Sequence, residues 1–217
     1  VPQHDMAELP PDVLARRATL PAKPDAVTLT GSRVELAPID LERDIEMLHA
    51  VSNGQPFTLG ERSVAAYDPD ELVWKYMQGS AFADARELHV YLEAQAAIPD
   101  WRVLTVHDRI TGTPIGVVCL IANRPADLKI ELGAIWYGPI AQGSGASREA
   151  TQLMCAHAFG LGYRRVEWKC DALNERSRRA ALSYGFTYEG IQQAHMIVKG
   201  RSRDTAWFRM LDSEWPR

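Results

Sequence analysis

Residues Ile130 to Leu161 read IELGAIWYGPIAQGSGASREATQLMCAHAFGL. An extended apolar run, Ile130 to Tyr137, passes through Gln142-Gly143-Ser144-Gly145-Ala146 into a helical run, Ser147 to Leu161. In that helix Ala150, Leu153, Met154, Ala158 and Leu161 recur at steps of three and four and form an inward face, and Gly162 supplies the stop. A glycine-rich turn at a helix start crowds unpaired N–H groups together, with no side chain to block an approaching anion. The expected ligand carries phosphates.

Two familiar phosphate loops fail against these residues. Gly138 and Gly143 have nucleoside-triphosphate loop spacing, but Ser144 stands where the phosphate-binding lysine belongs. For a dinucleotide fingerprint, Gly143 and Gly145 are followed by Arg148 in the third glycine position. Taken alone, the loop also reads as a tight strand-to-helix turn.

The surrounding residues decide. Together with Asn174-Glu175-Arg176-Ser177 and Gly185-Phe186, the stretch resembles the GNAT superfamily of acyl-coenzyme A transferases, in its branch of ribosomal-protein N-acetyltransferases. Gln142, Gly143, Gly145, Glu149, Ala150, Asn174, Ser177, Gly185 and Phe186 fall on the family pattern, whereas Ser147 and Arg148 replace the usual small residue and threonine. The resemblance runs from about Ser32 to Trp215. It implies an α/β (α+β) fold: a mixed, mostly antiparallel central sheet, splayed at the cofactor site, with helices on both faces. It also implies that Gln142, Gly143, Ser144, Gly145, Ala146 and Ser147 hold the pyrophosphate of acetyl-coenzyme A. Ile135, Trp136 and Tyr137 at the splayed strand end, with Asn174 and Ser177, would flank the pantetheine and thioester.

Length and composition fit this reading. The chain has 217 residues, 46% of them hydrophobic, enough for one sizeable core. Val1 to Ala26 hold five of the thirteen prolines and little periodicity, so they read as an extended arm ahead of a single domain over residues 27–217. The net charge of −4 argues against a nucleic-acid surface as the main business of the protein. Cys119, Cys155 and Cys170 are odd in number and widely spaced, with no signal peptide or membrane-length apolar run, which suggests a reduced, cytoplasmic setting. The six histidines show no metal-ligand spacing, so no metal is expected. Of the basic clusters, Arg176 with Arg178 and Arg179 opens the helix bordering the cofactor and is a candidate for the adenosine 3′-phosphate.

Periodicity predicts a strand over Val34–Pro38, a helix over Leu41–Val51 and an irregular stretch over Gly54–Ala66. Helices are predicted at Pro69–Gln78 and Ala83–Ala97, and the segment Gly54 to Ala97 is the natural acceptor lid, with Glu61, Asp68, Asp70, Glu71, Asp84 and Glu87 as its acids. Strands follow at Trp101–His107, Pro114–Ile121 and Lys129–Tyr137. Beyond the phosphate helix come a strand at Arg164–Cys170, a helix capped by Asn174, and final strands at Phe186–Glu189 and Thr205–Leu211.

The chemistry implied by the resemblance is attack of a primary amine on a thioester carbonyl, without a covalent enzyme intermediate. It needs a neutral amine, donors for the developing oxyanion, and a hydrogen bond for the departing sulfur. A free N–H of Ile135 or Trp136 is the oxyanion candidate, and Ser177 the donor to sulfur. Tyr184 is the rival donor, but the family tyrosine falls one turn earlier, at Ala181, and Tyr184 reads as core. Glu131 on the central strand and His195 before the last strand are the candidate bases. Partners are then acetyl-coenzyme A and an amine, on a protein N-terminus or a small molecule. There is room for a homodimer and no call for nucleic acid or membrane. Other classes remain: a catalytically degenerate acyl-coenzyme A binding module, and a nucleotide enzyme, against which the absent lysine argues.

Overall fold

The computed structural model describes residues 8–216. A short helix α1 (Pro11–Ala15) precedes strands β1 (Leu29–Thr30) and β2 (Val34–Pro38) and helix α2 (Leu41–Ala50). A small hairpin, β3 (Phe57–Leu59) and β4 (Arg62–Val64), leads to a π-helical turn (Asp70–Trp74) and helix α3 (Ala85–Ala96). Strands β5 (Arg102–Asp108), β6 (Pro114–Arg124) and β7 (Lys129–Tyr137) then precede α4 (Ala146–Leu161), β8 (Arg165–Asp171), α5 (Glu175–Ser183), β9 (Thr187–Val198) and β10 (Arg201–Leu211).

Eight of these strands form one sheet in the order β1-β2-β5-β6-β7-β8-β10-β9. Its neighbours are antiparallel except β7 and β8, whose parallel pairing needs a crossover, supplied by α4. Buried on both faces, β7 is apolar almost throughout, as a central strand must be. Adjacent β7 residues show the two faces: Trp136 packs on Trp74 of the lid, ring centroids 5.0 Å apart, while Tyr137 turns toward Ser147 and Tyr184.

Two irregularities open the sheet. Pairing of β7 with β8 runs from Lys129↔Arg165 to Leu132↔Trp168 and no farther, so residues 133–137 and 169–171 diverge. Between Cys119↔Gly133 and Val117↔Trp136, two β7 residues, Ala134 and Ile135, oppose the single Val118, and Ala134 sits at φ 48°. Such a bulge bends the strand and re-aims its groups.

Several expectations are revised. The stretch Gly54 to Ala66 is not irregular throughout, since it contains the hairpin β3–β4, braced by a 3.2 Å contact between the Thr58 and Ser63 hydroxyls. Pro69 to Gln78 yields one π-helical turn in place of a regular helix. Leu161, expected inward, is exposed at the end of α4. The largest departure is β9, which runs to Val198 where a connection was expected. Lys199 and Gly200, at φ 50° and 73°, form a two-residue turn that pairs Val198 with Arg201, and the positive φ at both positions suits the twist of a tight hairpin. Of the proline-rich arm, residues 1–7 lie outside the described part. The rest is partly helical, not extended, and lies along its own domain: Leu20 is buried, Asn123 Nδ2 donates to Pro21 O (2.8 Å) and Arg102 Nε to Pro24 O (2.8 Å).

Candidate active site

The split between β7 and β8 opens into a cleft of about 710 Å³, lined by the glycine loop, the ends of β7 and β8, the first turns of α5, the lid and the β9–β10 hairpin. Nine buried side-chain polar atoms have no hydrogen-bond partner among the described residues. Six belong to cleft residues: Tyr91 Oη, Gln95 Oε1, Glu131 Oε2, Trp136 Nε1, Tyr137 Oη and Arg203 Nε. Buried polar groups are ordinarily paired, so this concentration marks the cleft as a place where something else binds.

At one end lies the glycine loop. Gly143 (φ 72°) and Gly145 (φ 85°) take left-handed conformations, and a side chain at Gly145 would press on the Arg33 guanidinium, 3.3 Å away. The N–H groups of Gly143, Gly145, Ser147 and Arg148 make no hydrogen bond to another described residue. Ser144 and Ala146 behave differently. Ser144 N–H and Oγ both donate to Ala141 O (3.4 and 2.7 Å), and Ala146 N–H donates to Ser144 Oγ (3.2 Å), so these residues shape the loop and do not line the cleft. Free donors at the N-terminus of a 16-residue helix fit a diphosphate. Ser147 Oγ lies 3.0 Å from Tyr184 Oη.

Glu149 holds this helix to the β1–β2 turn. Its carboxylate accepts from Ser32 N (3.0 Å), Ser32 Oγ (2.6 Å), Arg33 N (2.7 Å) and Val34 N (2.9 Å). Burial pushes its pKa up, but the Ser32 hydroxyl and the three N–H groups outweigh that and bring it to about 2. A Cβ on Gly31 would stand 2.5 Å from the carboxyl carbon, so any side chain there would push the carboxylate off its donors. Arg33 then leans over the loop, donating to Ser144 O (3.3 Å).

Along the split, Gly138 N–H donates to Ile115 O (3.0 Å), and strand alternation sends the Trp136 N–H the same way, toward β6. Trp136 is thereby removed as an oxyanion donor, while Ile135 and Tyr137 are turned toward the opening. Asn174 caps α5, its side chain accepting from Ser177 N (3.1 Å). Trp168 Nε1 donates to Ser177 Oγ (3.0 Å), which leaves the serine proton for another acceptor. Tyr184, expected in the core, is half-buried and lines the cleft beneath the Arg148 guanidinium, 4.9 Å from its ring centroid. Of the arginine cluster only Arg176 reaches the cleft. It bonds Leu72 O of the lid (3.3 Å), which directs it away from the phosphate loop.

On the opposite, lid-facing side of the sheet, Glu131 is 1% exposed and its Oε2 lies 2.9 Å from Lys169 Nζ, off the line of a hydrogen bond. Burial raises its pKa to about 7, against the pull of Lys169 and Arg203. His195 does not line the cleft. Its Nδ1 sits 3.0 Å from Thr205 Oγ1 and its ring 5.7 Å from that of Trp207, while burial, Lys169 and Arg203 lower its pKa. Trp168, Lys169 and Arg203 carry no motif. Only the register of β8 and β10 brings them here. Among the described residues no helix is long and apolar enough to cross a membrane, and no three His, Cys, Asp or Glu side chains are grouped to hold a metal.

Residues 33–187 match the acetyltransferase (GNAT) domain. A GCN5-related N-acetyltransferase from Brucella melitensis is similar at 35% identity over 89% of this chain and 82% of that one, with a TM-score of 0.80. A probable GNAT-family acetyltransferase from Chromobacterium violaceum gives 30%, 89%, 90% and 0.77 in the same order. A spermidine N-acetyltransferase chimera from Vibrio cholerae shares the fold alone, at 20% identity, 84% and 98% coverage and a TM-score of 0.62. No curated protein matches at the same stringency. The domain match spans well over half of the chain, which therefore belongs to the GNAT family of acetyltransferases, enzymes that use acetyl-coenzyme A.

Proposed function

We propose that this enzyme moves acetyl from acetyl-coenzyme A to a primary amine, on a protein N-terminus or a small molecule, by direct attack in a ternary complex. Within the family we place it with the ribosomal-protein N-acetyltransferases, on the Asn174–Ser177 helix and the Gln142-Gly143-Ser144-Gly145 turn. The observation that carries the reading is the run of free N–H donors on Gly143, Gly145, Ser147 and Arg148, at the mouth of a cleft that also contains Glu131 and Ser177.

Bound acetyl-coenzyme A supplies the acetyl group as a thioester. Gln142 and the loop N–H groups hold its diphosphate, and residues 135–137 run beside its pantetheine arm as an added strand. The Ile135 N–H faces the developing oxyanion, a fixed dipole that needs no reorganisation. Glu131, with a pKa near 7, takes the proton of the attacking amine. Ser177 donates to the departing sulfur, its oxygen held by Trp168. His195 has no direct part in this scheme.

The test is a thermal-shift series with acetyl-, propionyl- and succinyl-coenzyme A, followed by free-thiol release over a panel of amines and N-terminal peptides. Ser177→Ala is expected to bind acetyl-coenzyme A as tightly as the parent and to lose roughly tenfold or more in kcat. Unchanged kcat removes Ser177 from the chemistry. Tight binding with no thiol release from any amine marks a binding module.

A further inference from the structure

The lid-facing wall of the cleft contains a cation that contacts no carboxylate among the described residues, although Glu131 lies near enough to feel its charge. Among the described residues Arg203 has no ion-pair partner and its guanidinium donates no hydrogen bond, although its Nε is buried. The residue is only partly exposed, and a buried guanidinium N–H with no acceptor is a donor waiting for one. The nearby carboxylates are engaged elsewhere. Glu131 faces Lys169, Glu71 holds Lys75 (2.6 Å), and Asp171 accepts from Leu173 N (2.8 Å). Four of the lid acids cap backbone: Asp84 accepts from Glu87 N (2.9 Å), Glu87 from Ala83 N (2.9 Å), Asp68 from Asp70 N (2.9 Å) and Asp70 from Ala81 N (2.9 Å).

The face that Arg203 occupies identifies what it waits for. Trp207 pairs with Lys169 and Thr205 with Asp171, and residues 203, 205 and 207 of β10 share one side of the sheet, with Lys169 lying over the Trp207 ring (5.1 Å to its centroid). That is the side of Glu131, whereas Trp168 turns the other way, toward Ser177 and α5. The phosphates held by the glycine loop are therefore not the counter-ion of Arg203. An anion on this face belongs to the acceptor.

Resting on the acetyl-transfer reading above, we propose that the acceptor carries a carboxylate close to its reacting amine, and that Arg203 determines specificity by receiving that carboxylate through its planar fork while the amine meets Glu131. A carboxylate is favoured over a phosphate dianion because one guanidinium matches its single charge and planar geometry, and the neighbouring Lys169 is already beside Glu131. The acceptor class is thus an amino acid, or a peptide beginning with an acidic residue, and not a polyamine.

Free-thiol release with acetyl-coenzyme A tests this on the full chain. The acceptors are glycine, methionine, phenylalanine and glutamate as free acids and as carboxamides, tetrapeptides beginning with Asp, Glu or Ala, phosphoethanolamine, and spermidine. For the parent enzyme a carboxylate acceptor is expected to exceed its uncharged counterpart roughly ten- to hundredfold in kcat/KM, mainly through KM. The free acids and the Asp and Glu peptides distinguish the two sources of the carboxylate. Arg203→Gln is expected to bring the acid-to-amide ratio close to one, and Arg203→Lys to restore part of it, with acetyl-coenzyme A binding by thermal shift as the check on folding. Preference for spermidine, phosphoethanolamine or the carboxamides, or a ratio that survives in Arg203→Gln, overturns the proposal and leaves acetyl transfer standing. If no acceptor in the panel gives thiol release while acetyl-coenzyme A still binds, the transfer reading and this proposal fall together.

Discussion

At the glycine loop, on the α4 side of the split sheet, the groups left free to bind are backbone N–H donors from one short stretch, Gly143 to Arg148. On the lid side they are side chains from segments far apart in sequence: Glu131, Lys169 and Arg203, roofed by Trp136 and Tyr91, which pack on the buried Trp74. Backbone dipoles recognise a ligand that never changes, do not titrate, and are indifferent to most substitutions that leave φ alone. Side chains on three strands titrate and can be exchanged one at a time. A fold that keeps one donor and varies its acceptor gains from placing each ligand on the matching kind of surface. Changes on the lid side should therefore alter pH dependence and acceptor choice, and changes to the loop amides should alter coenzyme affinity without moving either.

The largest expected effect comes from Glu131→Gln. General-base removal costs roughly 10²- to 10⁴-fold in kcat. In the parent enzyme the base must be ionised, so kcat/KM should rise with pH through about 7, the value to which burial lifts Glu131. In the variant that limb should vanish, leaving only the titration of the amine, with acetyl-coenzyme A affinity unchanged by calorimetry. A limb near 7 that persists in Glu131→Gln would exclude this residue as the base.

Next in size is the double change Gly143→Val, Gly145→Val. Each valine must enter a left-handed conformation, at φ 72° and 85°, which costs about 1–2 kcal/mol per residue, and the second presses on Arg33. Acetyl-coenzyme A affinity is expected to fall roughly ten- to hundredfold or more, while the pH profile keeps its shape. Retained affinity would mean that these amides do not hold the diphosphate. A shifted pH profile would mean that the two sides are not independent.

The same contrast decides what the sequence made legible. The loop, its helix and the Asn174 cap are contiguous signals whose spacing is set by local geometry, and β2 and β7 emerge with the ends expected of them. The β9–β10 hairpin was not legible at its true length. Its outer strand, β9, forms the sheet edge and is largely exposed, and the first residues of β10 are exposed with it, so these residues lack the apolar alternation that announces a half-buried strand. Without that hairpin no reading of the chain could bring Arg203 to the cleft, nor show that His195 turns to Thr205 and Trp207. Lys169 likewise meets Glu131 only through the parallel register of β7 and β8, and parallel pairing leaves no local trace. Ser177 carries a motif, yet its partner Trp168 is an ordinary apolar strand residue until the indole is seen to reach it.

The smallest effect should come from Glu149→Gln, which loosens the loop side without touching the lid side. The Glu149 pKa in the fold, about 2, lies below its ordinary 4.5 because Ser32, Arg33 and Val34 donate to the carboxylate. A depressed carboxylate stabilises the fold fully above its unfolded value and loses that contribution as pH falls toward the folded one. The variant should therefore be less stable than the parent by about 1.5–3 kcal/mol at pH 7, the range for hydrogen bonds to a charged group, and the gap should close between pH 4.5 and 2 in paired thermal melts. Because Arg33 leans over the loop from the same turn, acetyl-coenzyme A binding should weaken slightly, while the acid-to-amide preference set by Arg203 stays where it was. A stability gap that is flat with pH would show that Glu149 contributes by packing and not by charge. A change in acceptor preference would show that the two faces of the sheet communicate, contrary to the division their separate chemistries imply.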